Sequence, residues 1–154
     1  VQKRVLRAFR GLSHRCQTIA TKSGIDWIDD SKGTNVGATC AAIRSVFSGR
    51  PGVLIAGGQG KGADFNALAA AVEGRVHDVI LIGQAARVIA ASLDGRVDVH
   101  FALDMHSAVA AARLLARRGE AVLLSPACAS FDMFDNFEAR GRAFIDAVEE
   151  ISSP

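Results

Sequence analysis

The chain lacks most of what would tie it to a secreted, metal-held or membrane-bound setting. Its three cysteines, Cys16, Cys40 and Cys128, lie far apart and form no Cys-x-x-Cys pair. That spacing argues against a zinc site and for free thiols in a reducing compartment, the cytoplasm. His14, His77, His100 and His106 form no metal-ligand pattern either. No apolar run approaches the roughly 20 residues needed to cross a bilayer. No charged n-region, apolar h-region and cleavage pattern opens the chain. Neither sign of charge prevails: 18 Lys and Arg face 16 Asp and Glu, for a net charge of +2. The signs are mixed along the chain, so composition makes no case for nucleic acid. The eight Phe and single Trp are not interleaved with basic residues as a single-strand-binding surface requires. Low-complexity segments and internal repeats are missing too. The first residue is Val, which reads as a segment of a longer polypeptide.

What is present suits one packed domain: 154 residues, 49% of them hydrophobic. Residues 1–11 put Val1, Val5, Leu6 and Phe9 on one helical face and basic side chains on much of the rest, with Gly11 as a stop. This reads as a linker helix docked on an upstream domain, leaving residues 12–154 as the domain proper. Cys16–Thr21 and Ile25–Asp29 read as strands joined through Lys22-Ser23-Gly24. A helix over Val36–Ile43 follows. Strands are then expected at Val53–Ala56, Val76–Ile82, Val97–Phe101 and Ala121–Leu124. They alternate with helices at Asp64–Val72, Ala85–Leu93, Ser107–Arg117 and Phe134–Ile151. Short apolar strands alternating with helices specify an α/β fold. We expect a Rossmann-like three-layer domain, its mostly parallel sheet flanked by helices and extended by an N-terminal hairpin.

In such a sheet, ligands collect beyond the carboxyl ends of the strands. Three connections there are long and polar or glycine-rich. The first is Asp30-Ser31-Lys32-Gly33-Thr34-Asn35, with Thr34 or Asn35 as the N-cap of the next helix. The second is Gly57-Gly58-Gln59-Gly60-Lys61-Gly62, where backbone can approach a ligand closely and Lys61 adds one charge for a carboxylate or a phosphate. It is not a Walker loop, which would need Gly at Ile55 and a hydroxyl at Gly62. The third is Ser125-Pro126-Ala127-Cys128-Ala129-Ser130-Phe131-Asp132. Here Cys128 reads as a small residue in a tight turn, while Ser130, Phe131 and the approach to Phe137 suit a small ligand. Asp132 and Asp135 read equally well as first-turn residues of the last helix.

Together these three motifs resemble the C-terminal domain of the Mur ligases, and within that family its D-glutamate-adding branch. The approach Gly11-Leu12-Ser13-His14-Arg15 is similar to the family's linker, with Ser13 where proline is more usual. Gly33 stands where alanine is common. The resemblance implies an ATP-dependent ligase working in peptidoglycan precursor synthesis. ATP would phosphorylate the carboxylate of UDP-N-acetylmuramoyl-L-alanine, and the amine of D-glutamate would attack the acyl phosphate. It further implies that Thr34 and Lys61 hold one D-glutamate carboxylate, and that Ser130 with backbone at Phe131 and Phe137 holds the other. Arg15, Asp30 and Lys32 would close over the nucleotide, with Lys32 acting on the phosphate charge. The family's phosphate loop, Mg2+ ligands and UDP-binding domain would lie in upstream domains, leaving this chain inactive alone and without a metal site. The competing reading is a free-standing binding or interaction module of the same fold. A dinucleotide binder is disfavoured because no Gly-x-Gly-x-x-Gly follows the first strand.

Overall fold

The computed structural model describes residues 13–151, so the helix expected over residues 1–11 lies outside it. Six strands form one sheet: β1 (Gln17–Lys22), β2 (Ile25–Asp29), β3 (Gly52–Gly57), β4 (Val76–Ile82), β5 (Asp98–Phe101) and β6 (Ala121–Leu124). Five helices join them: α1 (Val36–Val46), α2 (Asn66–Val72), α3 (Ala86–Leu93), α4 (Met105–Leu115) and α5 (Phe137–Glu149). The strand order is β1-β2-β6-β3-β4-β5. β1 runs antiparallel to β2 at one edge, and the remaining pairs are all parallel. The expected α/β architecture with an edge hairpin is therefore observed.

The sheet is hydrophobic on both sides because its central strands are apolar without interruption. Every residue of β3 and of β6 is buried. Alternate side chains feed two separate cores. Leu54, Ala56, Val79, Leu81 and Leu123 face a layer built by α1, α2 and α3 through Ile43, Leu68 and Ile89. Val53, Ile55, Ile80, Ile82, Val122 and Leu124 face α4 and α5 through Val109, Phe144 and Val148. Each such Leu, Ile or Phe is worth roughly 1.5–3 kcal/mol on burial.

The division of helices follows from crossover handedness. The path β2-α1-β3-α2-β4-α3-β5 steps one way across the sheet with its helices on one face. The return from β5 through α4 to β6 runs the other way, so a right-handed crossover puts α4 on the opposite face. β6 then slots between β2 and β3, and α5 leaves it on the α4 side.

Helix starts follow side-chain caps where these exist. Asn35 caps α1 by accepting from Ala38 N, Asp104 caps α4 from Ser107 N, and Asn136 caps α5 from Ala139 N. This moves two expected boundaries. The last helix begins at Phe137, because Asn136 ends the preceding turn, and α4 begins at Met105 behind its Asp104 cap. Neither Asp132 nor Asp135 is therefore a first-turn residue. Asp132 instead accepts from Gln84 N at 3.0 Å, tying the turn after β6 to the end of β4.

At the opposite end of the strands, four ionisable side chains form a ladder. Glu120 Oε1 lies 2.9 Å from His77 Nε2, His77 Nδ1 meets Asp78 Oδ2, and Asp78 Oδ1 lies 2.7 Å from His100 Nε2. Burial alone would lower the His77 pKa, but hydrogen bonds from Asp78 and Glu120 outweigh it and raise it above 6.5. Burial alone would raise Asp78, but its two histidine partners hold it below 3.8. Stability from His77 is present below its unfolded pKa and fades as pH rises through the raised folded value. Stability from Asp78 is present above 3.8 and fades as pH falls through its depressed value. The ladder should thus stabilise most between these limits. His77→Gln is expected to lower urea stability more at about pH 5.5 than at about pH 8.5. An equal loss at both pH values would show that the ladder is uncharged.

Candidate functional site

The insertion of β6 between β2 and β3 brings the ends of these three strands side by side, and with them the three motif-bearing loops. Backbone bonds lace the loops together. Asp30 N donates to Leu124 O, Ala127 N to Gly33 O, Gly57 N to Pro126 O, and Gln59 and Ala129 exchange a reciprocal pair. Gly58 sits in the middle at φ 135°, a conformation that disfavours any side chain. A Cβ there would fall 2.5 Å from Ala129 O and 3.0 Å from Cys128 Cβ. Four non-glycine residues around the site also adopt left-handed backbone: His14 at φ 64°, Cys16 at φ 44°, Lys61 at φ 50° and Ala127 at φ 63°. Such strain persists only where surrounding bonds over-determine it.

Two cavities open on this edge. The first, of about 640 Å3, is lined by Thr34, Lys61, Ser130, Phe131 and Phe137, with Gln59, Asn136 and Glu138 beside them. The second, of about 620 Å3, is lined by Arg15, Asp30 and Lys32, with Cys16 and the small face of α1 at Ala38 and Ala42. Thr34, Asn35 and Phe137 belong to both and form the ridge between them. Of the residues expected to hold an amino acid, Lys61, Ser130 and Phe131 line the first cavity alone and Thr34 and Phe137 line both, while Arg15, Asp30 and Lys32, expected to face a nucleotide, line the second alone.

The cations stand at the rim. Lys61 Nζ lies 5.5 Å from the Phe131 ring centroid and Lys32 Nζ 5.8 Å from that of Phe137. Each ring carries its lysine by a cation–π contact and leaves the ammonium free to take an anion. Ser130 is buried at 3% exposure, while Phe131 is exposed at 63%.

Asp30 plays a more inward part than a nucleotide contact alone would need. Its Oδ1 accepts from Cys16 N at 3.1 Å and its Oδ2 from Ser125 Oγ at 2.7 Å. Ser125 Oγ also lies 2.9 Å from Thr39 Oγ1. Burial raises the Asp30 pKa despite these donors. Burial also pushes the Cys128 thiol up to about 12, and partial desolvation with the Asp30 carboxyl beside it does the same at the exposed Cys16, so both thiols stay protonated at neutral pH. That agrees with a structural place for Cys128, which is 1% exposed.

Three functional positions escaped the sequence. The first is Arg140, 1% exposed, whose Nε donates to Ser31 Oγ, Nη2 to Ser31 O and Nη1 to Cys128 O. The second is Ser31, whose Oγ donates in turn to Phe137 O at 2.6 Å. The third is the pair His14–Asp29, at 2.6 Å, with Asp29 Oδ1 also accepting from Ser31 N. A signal for Arg140 existed. It stands at the third position after Phe137 and the fourth before Phe144, where the apolar stripe of α5 calls for a hydrophobic residue.

Fold and site together define an α/β domain with exposed cations around two cavities at the carboxyl edge of a mostly parallel sheet. The chain belongs to the Mur ligase, glutamate ligase domain family, whose model matches residues 14–128. It is 51% identical over 148 residues to a UDP-N-acetylmuramoylalanine–D-glutamate ligase of Nitrosococcus oceani, covering 96% of this chain and 33% of that protein. It is 50% identical over 149 residues to the Pseudomonas aeruginosa ligase of the same description, again covering 96% and 33%. The chain thus spans about a third of these relatives' length. A murein peptide ligase structure from Psychrobacter arcticus shares the fold at TM-score 0.65 and 15% identity, over 96% of this chain and 32% of that one. Mycobacterium tuberculosis folylpolyglutamate synthase does so at 0.62 and 11%, over 96% and 34%.

The crowding at Gly58 gives a direct test. Gly58→Ala should destabilise the chain by about 2 kcal/mol or more, combining backbone strain with a clash against Ala129 O. Gly62→Ala, at φ 71° but with open space around its Cβ, should cost only about 1 kcal/mol. Denaturant unfolding of both variants checks the contrast. Equal losses would remove the close approach of these loops.

Proposed function

We propose that the chain is the amino-acid-binding, C-terminal part of a cytoplasmic ATP-dependent ligase. That ligase joins D-glutamate to UDP-N-acetylmuramoyl-L-alanine. The observation that supports this most is the pair of adjoining cavities sharing the Thr34–Phe137 ridge, within a chain half identical to ligases of that description. In this reading Thr34 and Lys61 take one carboxylate of D-glutamate. Ser130, with backbone groups of Phe131 and Phe137, takes the other.

Arg15, Lys32 and the Asp30 loop face the nucleotide side. The γ-phosphoryl group of ATP passes to the carboxylate of the acceptor and ADP leaves. The amine nitrogen of D-glutamate then attacks the acyl carbon, and phosphate departs from the tetrahedral intermediate. What this chain contributes is orientation, holding an amine in line with an acyl phosphate, and positive charge beside the departing phosphate. Among the described residues no group of His, Cys, Asp or Glu could hold a metal ion. In this reading Mg2+ would be held by other parts of the ligase, and no step here runs through it. No described helix is long and apolar enough to cross a membrane.

The proposed pocket sets its own affinity. Each charge-assisted hydrogen bond to a carboxylate is worth roughly 1.5–3 kcal/mol net, and association alone costs at least about 4 kcal/mol. Three or four such bonds of middling strength leave about −4 kcal/mol against that minimum cost, a dissociation constant near 1 mM. In an NMR titration of the chain, D-glutamate should shift resonances at Thr34, Lys61, Ser130 and Phe137 only. Lys61→Ala should abolish those shifts without unfolding the chain, since Lys and Ala pay the same penalty for left-handed backbone. Shifts elsewhere, or none lost in Lys61→Ala, would move the amino acid out of this cavity.

The nucleotide side predicts a different kinetic pattern. In the complete ligase, Lys32→Ala should lower kcat by about 100-fold or more and raise the D-glutamate KM little. An effect confined to that KM would transfer Lys32 to the amino-acid cavity.

A further inference from the structure

We propose that Arg140 is a positioning residue, one that holds the two cavities in register with each other; the proposal rests on the ligase reading above. Its guanidinium reaches both sides of the ridge. Two of its bonds, to Ser31 Oγ at 3.0 Å and Ser31 O at 2.7 Å, fasten the residue that precedes Lys32. A third, to Cys128 O at 2.9 Å, fastens the loop two residues ahead of Ser130. Ser31 Oγ passes the tie on to Phe137 O, on the ridge itself. One side chain therefore sets the separation between the Lys32 loop, the Ser130 loop and the first turn of α5.

Stability does not explain this residue. Arg140 is 1% exposed and, among the described residues, its partners are a hydroxyl and two carbonyls, not a carboxylate. A buried cation whose hydrogen-bond acceptors are all neutral, with the Asp132 and Asp29 carboxylates acting on it only through space, is no more favourable than a well-packed apolar side chain of similar size. The rest of the α5 stripe, Phe144, Ala147 and Val148, shows that apolar residues suit this layer. What an apolar residue cannot do is bind three loop atoms lying in different directions. Lysine cannot do so either, because its ammonium is a point charge and not a planar fork. The guanidinium also lies against the second loop: a Cβ at Gly58 would come within 3.4 Å of Nη1, an ordinary van der Waals contact. His14, which packs on Gly141 beside it, meets Asp29, and Asp29 takes the Ser31 N–H, so the same loop is gripped from a second direction.

Two variants test the proposal. Arg140→Lys keeps the charge and loses the fork; Ser31→Ala keeps Arg140 and removes one acceptor and the tie to Phe137. In the 154-residue chain, amide exchange at Lys32 and Ala127 should accelerate about tenfold or more in both. Protection in β3 and β4 should stay unchanged. In the complete ligase, assayed well below its unfolding temperature, kcat should fall about tenfold or more in each. The double variant should be no slower than Arg140→Lys alone, because both act through one set of bonds. Uniformly faster exchange throughout the sheet with an unaltered kcat would reduce Arg140 to a stabilising residue and overturn the proposal. Unchanged exchange at Lys32 and Ala127 would overturn it whatever the turnover. If the loops loosen as expected but the wild-type complete protein shows no D-glutamate-dependent turnover, the ligase reading fails, and with it the claim that the fastening serves that reaction.

Discussion

Everything at this site depends on where β6 lies. A strand made last in the chain pairs on both sides with strands made early, β2 and β3. That pairing buries four consecutive apolar residues with no polar face to spare. It also forces the loop after β6 up between two loops already formed. Because α5 departs to the opposite face from α1 and α2, the three loops diverge from a crevice instead of packing shut. The two cavities are the two sides of that crevice.

Charge is sorted by depth. Arg15, Lys32 and Lys61 stand exposed at the rim, where solvated cations cost little and an incoming anion finds them. Beneath them the groups are neutral or committed: a protonated thiol at Cys128, a carboxyl group at Asp30 with both oxygens occupied, and hydroxyls at Ser125 and Thr39. Among the described residues the buried basic side chain is Arg140, whose pKa burial lowers to about 10, leaving it protonated at neutral pH. An anion at the rim of the second cavity meets a buried carboxyl group only at Asp30, whose two oxygens already accept hydrogen bonds.

Sequence reasoning reached the layers, the edge hairpin and the three loops, because those follow from local facts: apolar runs of strand length, helical periodicity and glycine clusters. It also named the lining of both cavities, here with help from a family likeness, since Thr34, Lys61 and Ser130 are far apart in the chain. It missed what depends on pairs. Arg140 and Ser31 are 109 residues apart, and no local pattern tells a buried arginine from a solvated one. His14 looked partnerless because its partner, Asp29, is the last residue of a strand that had already been assigned. The start of α5 was misplaced for a related reason. Phe134 continues the apolar spacing of the helix, yet Phe134 N bonds to Ser130 O in the preceding turn, and the Asn136 cap decides the boundary.

His14 has a mechanical consequence. Its carbonyl accepts the Lys32 N–H at 3.0 Å, its ring is clamped on Asp29, and the absence of a side chain at Gly141 makes room for it. The described chain begins one residue earlier, at Ser13. His14 thus ties the described start of the chain to two places at once: to the loop bearing Lys32 through its carbonyl, and to the end of β2 through its ring.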